Sequence, residues 1–299
     1  MTRRASLVAA VLLVAVATLA AGCSSESPQP ENTAQVSDSS LIAGAYANPL
    51  DPIMFPDATQ QSLITASLEE VVSECMAQAG FTYQAGDAFP QRRGAADAQY
   101  TYSVTDPEAA AQYGFHPASW VQNQPAAGAA AATRAEGYDP ALFGEADTEV
   151  ADKDGTVIAT YDPDSCSGKA KDSVTPQWAQ QDRIVNVAAD ILLAVSDEVA
   201  ENPEVKAANQ KWSTCMAQAG FDYATPMDAN NDERFATDLP TAAEIPVAVA
   251  SATCQHESGL LRTWSKTRAE LTQTELDKYP GIVTEWLQLQ DDAATRATS

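Results

Sequence analysis

Apolar residues recur every three or four positions in several segments, which is the spacing of one face of an α-helix. The first of these segments runs from Ala58 to Ala79 and places seven residues on one stripe, namely Ile64, Leu68, Val71, Val72, Cys75, Met76 and Ala79. The second half of the chain repeats this spacing in longer segments, from about residue 175 to the C-terminal region. The pattern predicts a mainly α-helical fold.

Helix start signals agree with this periodicity in the second half. The pairs Thr175-Pro176 and Asn202-Pro203 each combine a capping residue with a proline at the first helical position. Thr241 and Glu244 have the spacing of a capping box, in which the two side chains bind each other's backbone N–H. A final helix is predicted after the break at Tyr279–Gly281.

Residues 84–165 lack sustained periodicity and are predicted to be rich in loops. Asp139–Gly144 has the composition of a single helical turn. Within residues 150–161, Asp154-Gly155 is a turn signal beside β-branched residues, which suggests one small β-hairpin.

The chain contains an internal repeat. The seven residues Cys75–Phe81 are identical to Cys215–Phe221, and Tyr83 and Tyr223 extend the match. Seven consecutive identities indicate a duplicated unit. The fold is therefore predicted to contain two related helical units, each with a cysteine on its buried stripe.

Backbone geometry accounts for the repeated residues. A glycine just past a helix adopts a left-handed conformation without steric cost, and the residues on either side of this ending touch in a Schellman motif. The predicted helix-cap residues are Met76, Gly80 and Phe81 in the first copy and Met216, Gly220 and Phe221 in the second. The other interpretation is that each Cys-Met pair offers soft sulfur ligands to copper(I).

Four cysteines remain besides Cys23, and in an oxidising compartment an even number indicates two disulfides with three possible connectivities. If each half supplies its own bridge, Cys75 pairs with Cys166 and Cys215 with Cys254. This is the preferred pairing.

The N-terminus has the organisation of a secretory signal. Arg3 and Arg4 precede a short apolar run, which ends in small residues and Cys23. This ending resembles the lipobox of bacterial lipoproteins, in which the cysteine sulfur is acylated and the preceding peptide is removed. The resemblance implies lipidation of Cys23 and a place on the outer face of the cell membrane.

The lipobox, the doubled motif, Cys166-Ser167-Gly168 and the helical Cys254 segment together resemble uncharacterised secreted lipoproteins of actinobacteria. The resemblance implies an exported, lipid-anchored helical protein and supplies no catalytic residue. Residues from Ser24 to about Ala45 are mostly polar and cannot bury enough surface to fold, which is typical of a tether. The predicted organisation is a signal peptide (1–22), a lipid-anchored disordered tether (23–57), a first helical unit with a loop-rich segment (58–172) and a second helical unit (173–299).

The net charge restricts the partners. The chain has 41 Asp and Glu against 17 Lys and Arg, a formal charge of −24. This balance argues against nucleic acid and against direct adsorption to anionic lipid, because both attract Lys and Arg. Contact with the membrane is therefore expected through the lipid only. The acidic surface indicates either a cationic partner or solubility in the envelope.

The sequence indicates no cofactor, metal site or catalytic residue. Its two histidines, His116 and His256, do not belong to a zinc or serine-nucleophile motif. Asp228–Asp232 has three ligands at calcium-loop spacing, but Glu233 and Leu239 replace the required Gly and Glu. The many acids leave a carboxylate pair of the glycosidase type as an open alternative.

These observations favour a non-catalytic binding or accessory module of the cell envelope, with an envelope protein as its partner. One alternative is the solute-binding lipoprotein of a transporter, although such proteins usually alternate strands and helices. The other is an envelope hydrolase with acidic catalytic groups.

Overall fold

A computed structural model describes residues 47–89, 103–122, 134–151 and 155–299. In this part of the chain the fold is mainly α-helical with one small hairpin, which confirms the predicted fold class. The helices of the first half are α1 (Asp51–Met54), α2 (Ala58–Gln78), α3 (Pro107–Tyr113), α4 (Ala118–Gln122) and α5 (Tyr138–Phe143). Those that follow are α6 (Cys166–Val174), α7 (Trp178–Glu201), α8 (Pro203–Gln218), α9 (Pro226–Asn230), α10 (Glu244–Glu257), α11 (Leu260–Leu276) and α12 (Ile282–Ala297).

The predicted hairpin is present between α5 and α6. Strands β1 (Thr148–Ala151) and β2 (Val157–Tyr161) pair antiparallel, with Thr148 opposite Tyr161 and an irregularity next to Ala151. Gly155 has the positive φ of a turn residue. Asp154, the other residue of the predicted turn, lies outside the described residues.

Three apolar clusters hold the helices together. The first joins α2, α5 and α6, and Ala293 of α12 belongs to it. The second joins α8 and α10 to the segment that contains Val104, Ala110 and Phe115. The third joins α1 and α7 to Leu276 of α11 and to the first two turns of α12. Burial of these side chains away from water is the main source of stability.

Residues on one side of the predicted boundary between 172 and 173 pack against residues on the other side. Segment 103–115 precedes that boundary but packs into the cluster of α8 and α10. Helix α12 follows it and packs against α2. The division of the chain into units 58–172 and 173–299 stays a prediction, and the two repeated helices complete their cores with residues from the other half.

Helix α7 begins later than the sequence signal predicted. Thr175 and Pro176 do not start it, because Thr175 is the C-terminal cap of α6 and its N–H binds Lys171 O. The helix starts at Trp178 with no side-chain cap. The capping pair is needed at the end of the disulfide-bonded α6, so it cannot also start α7.

Residues 48–54 fall inside the predicted tether (23–57), but they include helix α1 and are held by polar contacts to the helical core. Trp286 Nε1 donates to Pro52 O at 2.8 Å, and Asn48 Nδ2 donates to Thr272 Oγ1 at 3.0 Å. A buried indole N–H normally requires such a partner. These bonds attach residues 48–54 to α11 and α12. No helix among the described residues combines the length and the apolar character that a membrane crossing requires.

Candidate functional site

The disulfides join each repeated helix to a later helix. Cys75 of α2 pairs with Cys166 of α6, and Cys215 of α8 pairs with Cys254 of α10. The preferred pairing is therefore confirmed. The sulfurs of Cys75 and Cys215 are in covalent bonds, so the copper(I) interpretation, which needs them as thiolates, is wrong for this structure.

Both repeated helices end in the same hydrogen-bonded turn. Phe81 N donates to Met76 O, and Phe221 N donates to Met216 O, each at 2.9 Å. The N–H of the preceding glycine binds the second carbonyl of a Schellman motif in each copy, at 3.1 Å. The φ angles of 87° at Gly80 and 90° at Gly220 explain the choice of glycine. The two methionines are fully buried, so the repeated motif is part of the cores.

Cys23, the predicted lipidation residue, lies outside the described residues. Its acylation stays a prediction from the lipobox.

Carboxylates of the calcium-like segment bind groups of the protein itself. Asp228 forms a capping box with Thr225 at the start of α9. Asp232 accepts hydrogen bonds from Tyr223 at 2.8 Å and from the Arg234 side chain. These bonds hold the pKa of Asp232 well below its ordinary range. The described residues contain no group of three metal-ligating side chains.

The most unusual polar group in the structure is the carboxylate of Glu244, which is fully buried at the start of α10. Its Oε2 accepts from Thr241 N at 3.1 Å, and Thr241 Oγ1 accepts from Glu244 N at 3.2 Å. These are the two bonds of the predicted capping box. Its other oxygen faces a different part of the chain.

Glu244 Oε1 binds the turn between α3 and α4. It accepts from Phe115 N at 2.7 Å and lies 2.9 Å from His116 Nδ1. A buried carboxylate is stable only when its oxygens are satisfied by hydrogen bonds, and here each oxygen accepts from a backbone N–H. Glu244 therefore connects two segments that lie more than 100 residues apart.

His116 extends this connection to the loop before α10. Its Nε2 lies 2.6 Å from Thr237 O, so both ring nitrogens face oxygen atoms. We call Glu244, His116 and Thr237 the Glu244 cluster.

Gly114 is required for the close approach of Glu244. It has a φ of 60°, and a Cβ atom at this position would lie 2.2 Å from Glu244 Oε1. Any larger residue would displace the carboxylate from Phe115 N and His116. The sequence alone contains no sign of this contact.

The Glu244 cluster supports an exposed surface. Next to Thr237, Asp238 O accepts from Trp120 Nε1 at 3.2 Å. The Trp120 side chain is nevertheless 53% exposed, and Leu239 is 52% exposed. Thr237 Oγ1 donates to Leu239 O at 2.8 Å, which stabilises the loop. We call Trp120, Asp238 and Leu239 the Trp120 surface.

The first half has a different polar cluster beside its repeated motif. Asp87 accepts from Tyr138 Oη at 2.8 Å and lies 2.7 Å from an Arg134 nitrogen. Burial and the neighbouring Asp87 raise the pKa of Tyr138. Both partners of the ion pair are partly exposed, so this cluster lies at the surface.

Sequence reasoning identified only part of the candidate site. The capping-box spacing identified Glu244 and Thr241, but His116 was interpreted as an isolated histidine. The sequence gives no sign of Trp120, and it draws attention to Leu239 only as the residue in place of a calcium-loop Glu, because an isolated apolar residue carries no periodic signal.

No family model, curated protein or solved structure matches this chain.

Proposed function

We propose that this protein is a lipid-anchored, extracytoplasmic module that binds an envelope protein and performs no catalysis itself. The observation that carries the binding role is the Trp120 surface, an exposed indole and leucine held in place by the buried contact between Glu244 and His116. An exposed tryptophan fixed in place is the kind of side chain on which protein–protein binding energy is concentrated.

The geometry of Glu244 favours a supporting role over a catalytic one. Its oxygens accept hydrogen bonds from Phe115 N and Thr241 N and contact His116, and the side chain is inaccessible to solvent. A catalytic carboxylate must reach a substrate. The carboxylate is therefore placed to hold the loop at residues 237–239.

Two further observations support the proposed location. The lipobox at Cys23 implies acylation, and disulfides of the kind formed by the other four cysteines persist mainly in oxidising compartments. The mainly helical fold favours a binding module over a solute-binding lipoprotein, which usually has two α/β lobes.

Membrane attachment is tested by Cys23→Ser in the native host. The wild-type protein should sediment with the membrane, and the variant should appear in the soluble extracytoplasmic fraction. Retention of the variant on the membrane would contradict the lipid anchor.

The binding role is tested by photo-crosslinking in living cells. A photoreactive amino acid at Leu239 should capture one partner in near-equal amount. The matched control is Leu193 of α7, which is 73% exposed but lies outside the Trp120 surface. Equal capture from both positions, or none from Leu239, would contradict a specific binding surface.

A further inference from the structure

We infer that the Trp120 surface binds a cationic, lysine- or arginine-containing segment of the partner protein. This inference rests on the proposed function and specifies the chemistry of the partner. Its basis is the combination of an exposed indole, an adjacent leucine and an excess of carboxylates on the two segments that form this surface.

The indole is available and fixed in position. Trp120 is the only exposed residue among the five tryptophans, all of which lie in the described part of the chain. Its hydrogen bond to Asp238 O restricts the side chain, so little conformational entropy is lost when a ligand covers the ring. A Lys or Arg side chain binds the face of such a ring through cation–π attraction.

The local charge favours a cation. Segment 103–122 contains two acidic residues and neither Lys nor Arg. Segment 225–241 contains four acidic residues and one base, Arg234, which is paired with Asp232. Glu233 and Asp238 are exposed and form no ion pair within the described residues. A ligand cation would find carboxylates that are free to receive it.

Leu239 indicates that the ligand also has apolar side chains. Leu239 follows Asp238 directly and is half exposed, so a purely charged ligand would leave it uncovered. The surface therefore fits an amphipathic segment that alternates basic and apolar side chains. Electrostatic attraction would also accelerate the encounter with such a segment at low salt.

The Glu244 cluster determines the spacing of the surface. Glu244 holds His116 two residues before α4, and His116 holds Thr237 beside Asp238. The buried pair thus keeps Trp120 and Leu239 together before any partner arrives, which is preorganisation of a binding surface.

The test uses two synthetic peptides with the secreted full-length Cys23→Ser protein. One peptide alternates Lys and Leu, and its twin has Glu in place of each Lys. Binding is followed by fluorescence anisotropy of the labelled peptide and by the change in the tryptophan emission of the protein. The Lys peptide should bind at least about tenfold more tightly than the Glu peptide, and its binding should weaken as NaCl is raised from about 0.05 M to about 0.5 M.

Variants locate the binding site. Trp120→Ala and Asp238→Lys should each weaken Lys-peptide binding by about tenfold, through loss of cation–π attraction and reversal of charge. The matched controls are Leu193→Ala and Asp197→Lys on α7, which should leave the affinity unchanged. Asp238→Lys remains informative if Trp120→Ala disturbs the loop, because the Asp238 carboxylate makes no contact that the loop requires.

The following results would contradict the inference. Equal binding of the two peptides would exclude a preference for cations, and equal weakening by the α7 controls would exclude this surface. If Leu239 captures a partner in cells but the Lys peptide does not bind, the cationic chemistry is wrong and the proposed function stands. If neither is observed, both are wrong.

Discussion

The two repeated helices end in the same way, but the polar clusters next to them differ. Helices α2 and α8 share the Schellman turn, the buried methionine and the disulfide. Beside α2 the polar cluster is the surface pair of Asp87 and Arg134. Beside α8 and α10 it is the buried Glu244 cluster, which carries the Trp120 surface. A duplicated motif therefore determines how the helix stops, and the segment packed against it determines what the unit can do.

Because the two polar clusters differ in burial, loss of a side chain from each should change the free energy of unfolding by different amounts. The Asp87 side chain is 22% exposed and remains partly hydrated when its partner is lost, whereas Glu244 is at 0%. An unpaired charge in the interior is far more destabilising than one at the surface. The second half is therefore expected to be the more sensitive to loss of a polar side chain.

Removal of either disulfide should have the largest effect. Replacing Cys75 and Cys166 with Ala should lower the free energy of unfolding by about 4.5 kcal/mol, and replacing Cys215 and Cys254 by about 4 kcal/mol. The first loss is larger because that bridge spans 91 residues and the other spans 39. Urea unfolding of both double variants measures the difference. A much greater loss from the shorter loop would show that packing outweighs chain entropy.

Glu244→Gln should come next, with a loss of about 3 kcal/mol, because one of the two buried oxygens becomes an NH2 group that faces a backbone N–H donor. Asp87→Asn is the matched change in the first half and should cost less than about 1 kcal/mol. Thermal and urea unfolding compare the two variants. Similar losses would contradict the distinction between a buried and a surface cluster. Glu244→Gln should also increase hydrogen exchange at Thr237 and Asp238.

Replacement of the capping glycines should have smaller and equal effects. Gly80→Ala and Gly220→Ala should each cost about 1 kcal/mol, since alanine is strained in the left-handed conformation while its Cβ meets open space. Gly114→Ala should cost more than either, because its Cβ would overlap Glu244. The three variants can be ranked by their urea midpoints. Equal costs at all three positions would show that Glu244 adjusts without penalty.

The smallest expected effect is on the pH dependence of the free energy of unfolding, through Asp232 beside Tyr223. The Arg234 side chain lowers the pKa of Asp232, so this group stabilises the fold above its unfolded pKa and loses that contribution as pH falls. Asp232→Asn should therefore make stability less dependent on pH between about 6 and about 3. The control is Asp197→Asn on α7, an exposed change that leaves the Tyr223 contacts intact. Urea midpoints at several pH values measure both, and identical slopes would contradict the prediction.

Local patterns predicted much of the fold. Four residues of the predicted stripe, Ile64, Leu68, Val72 and Met76, are buried in α2, whereas Val71 and Cys75 are half-buried and Ala79 is exposed. The start at Asn202-Pro203 is also correct, with Asn202 Oδ1 accepting from Glu204 N. These signals depend on residues within one or two turns of each other, so the sequence contains all the information they need.

The candidate site could not be predicted to the same extent. Its central contact joins His116 to Glu244 across 128 positions, and nothing near His116 distinguishes a buried histidine from an exposed one. The start of α7 was misplaced for a related reason, because Thr175 has the composition of a helix cap and its neighbours decide which helix it caps.

The sequence by itself determined the helical periodicity, the glycine-capped repeat and the preferred disulfide pairing. It also determined the capping box that Glu244 forms with Thr241. Each of these follows from backbone geometry, from side-chain spacing or from the duplication. Only the tertiary structure decided that segment 103–122 packs against α10 and brings His116 and Trp120 beside the Thr237 loop. The physical reason is that burial of apolar surface lowers the free energy whichever half of the chain supplies the apolar face. Which two faces pack together therefore depends on their fit in three dimensions.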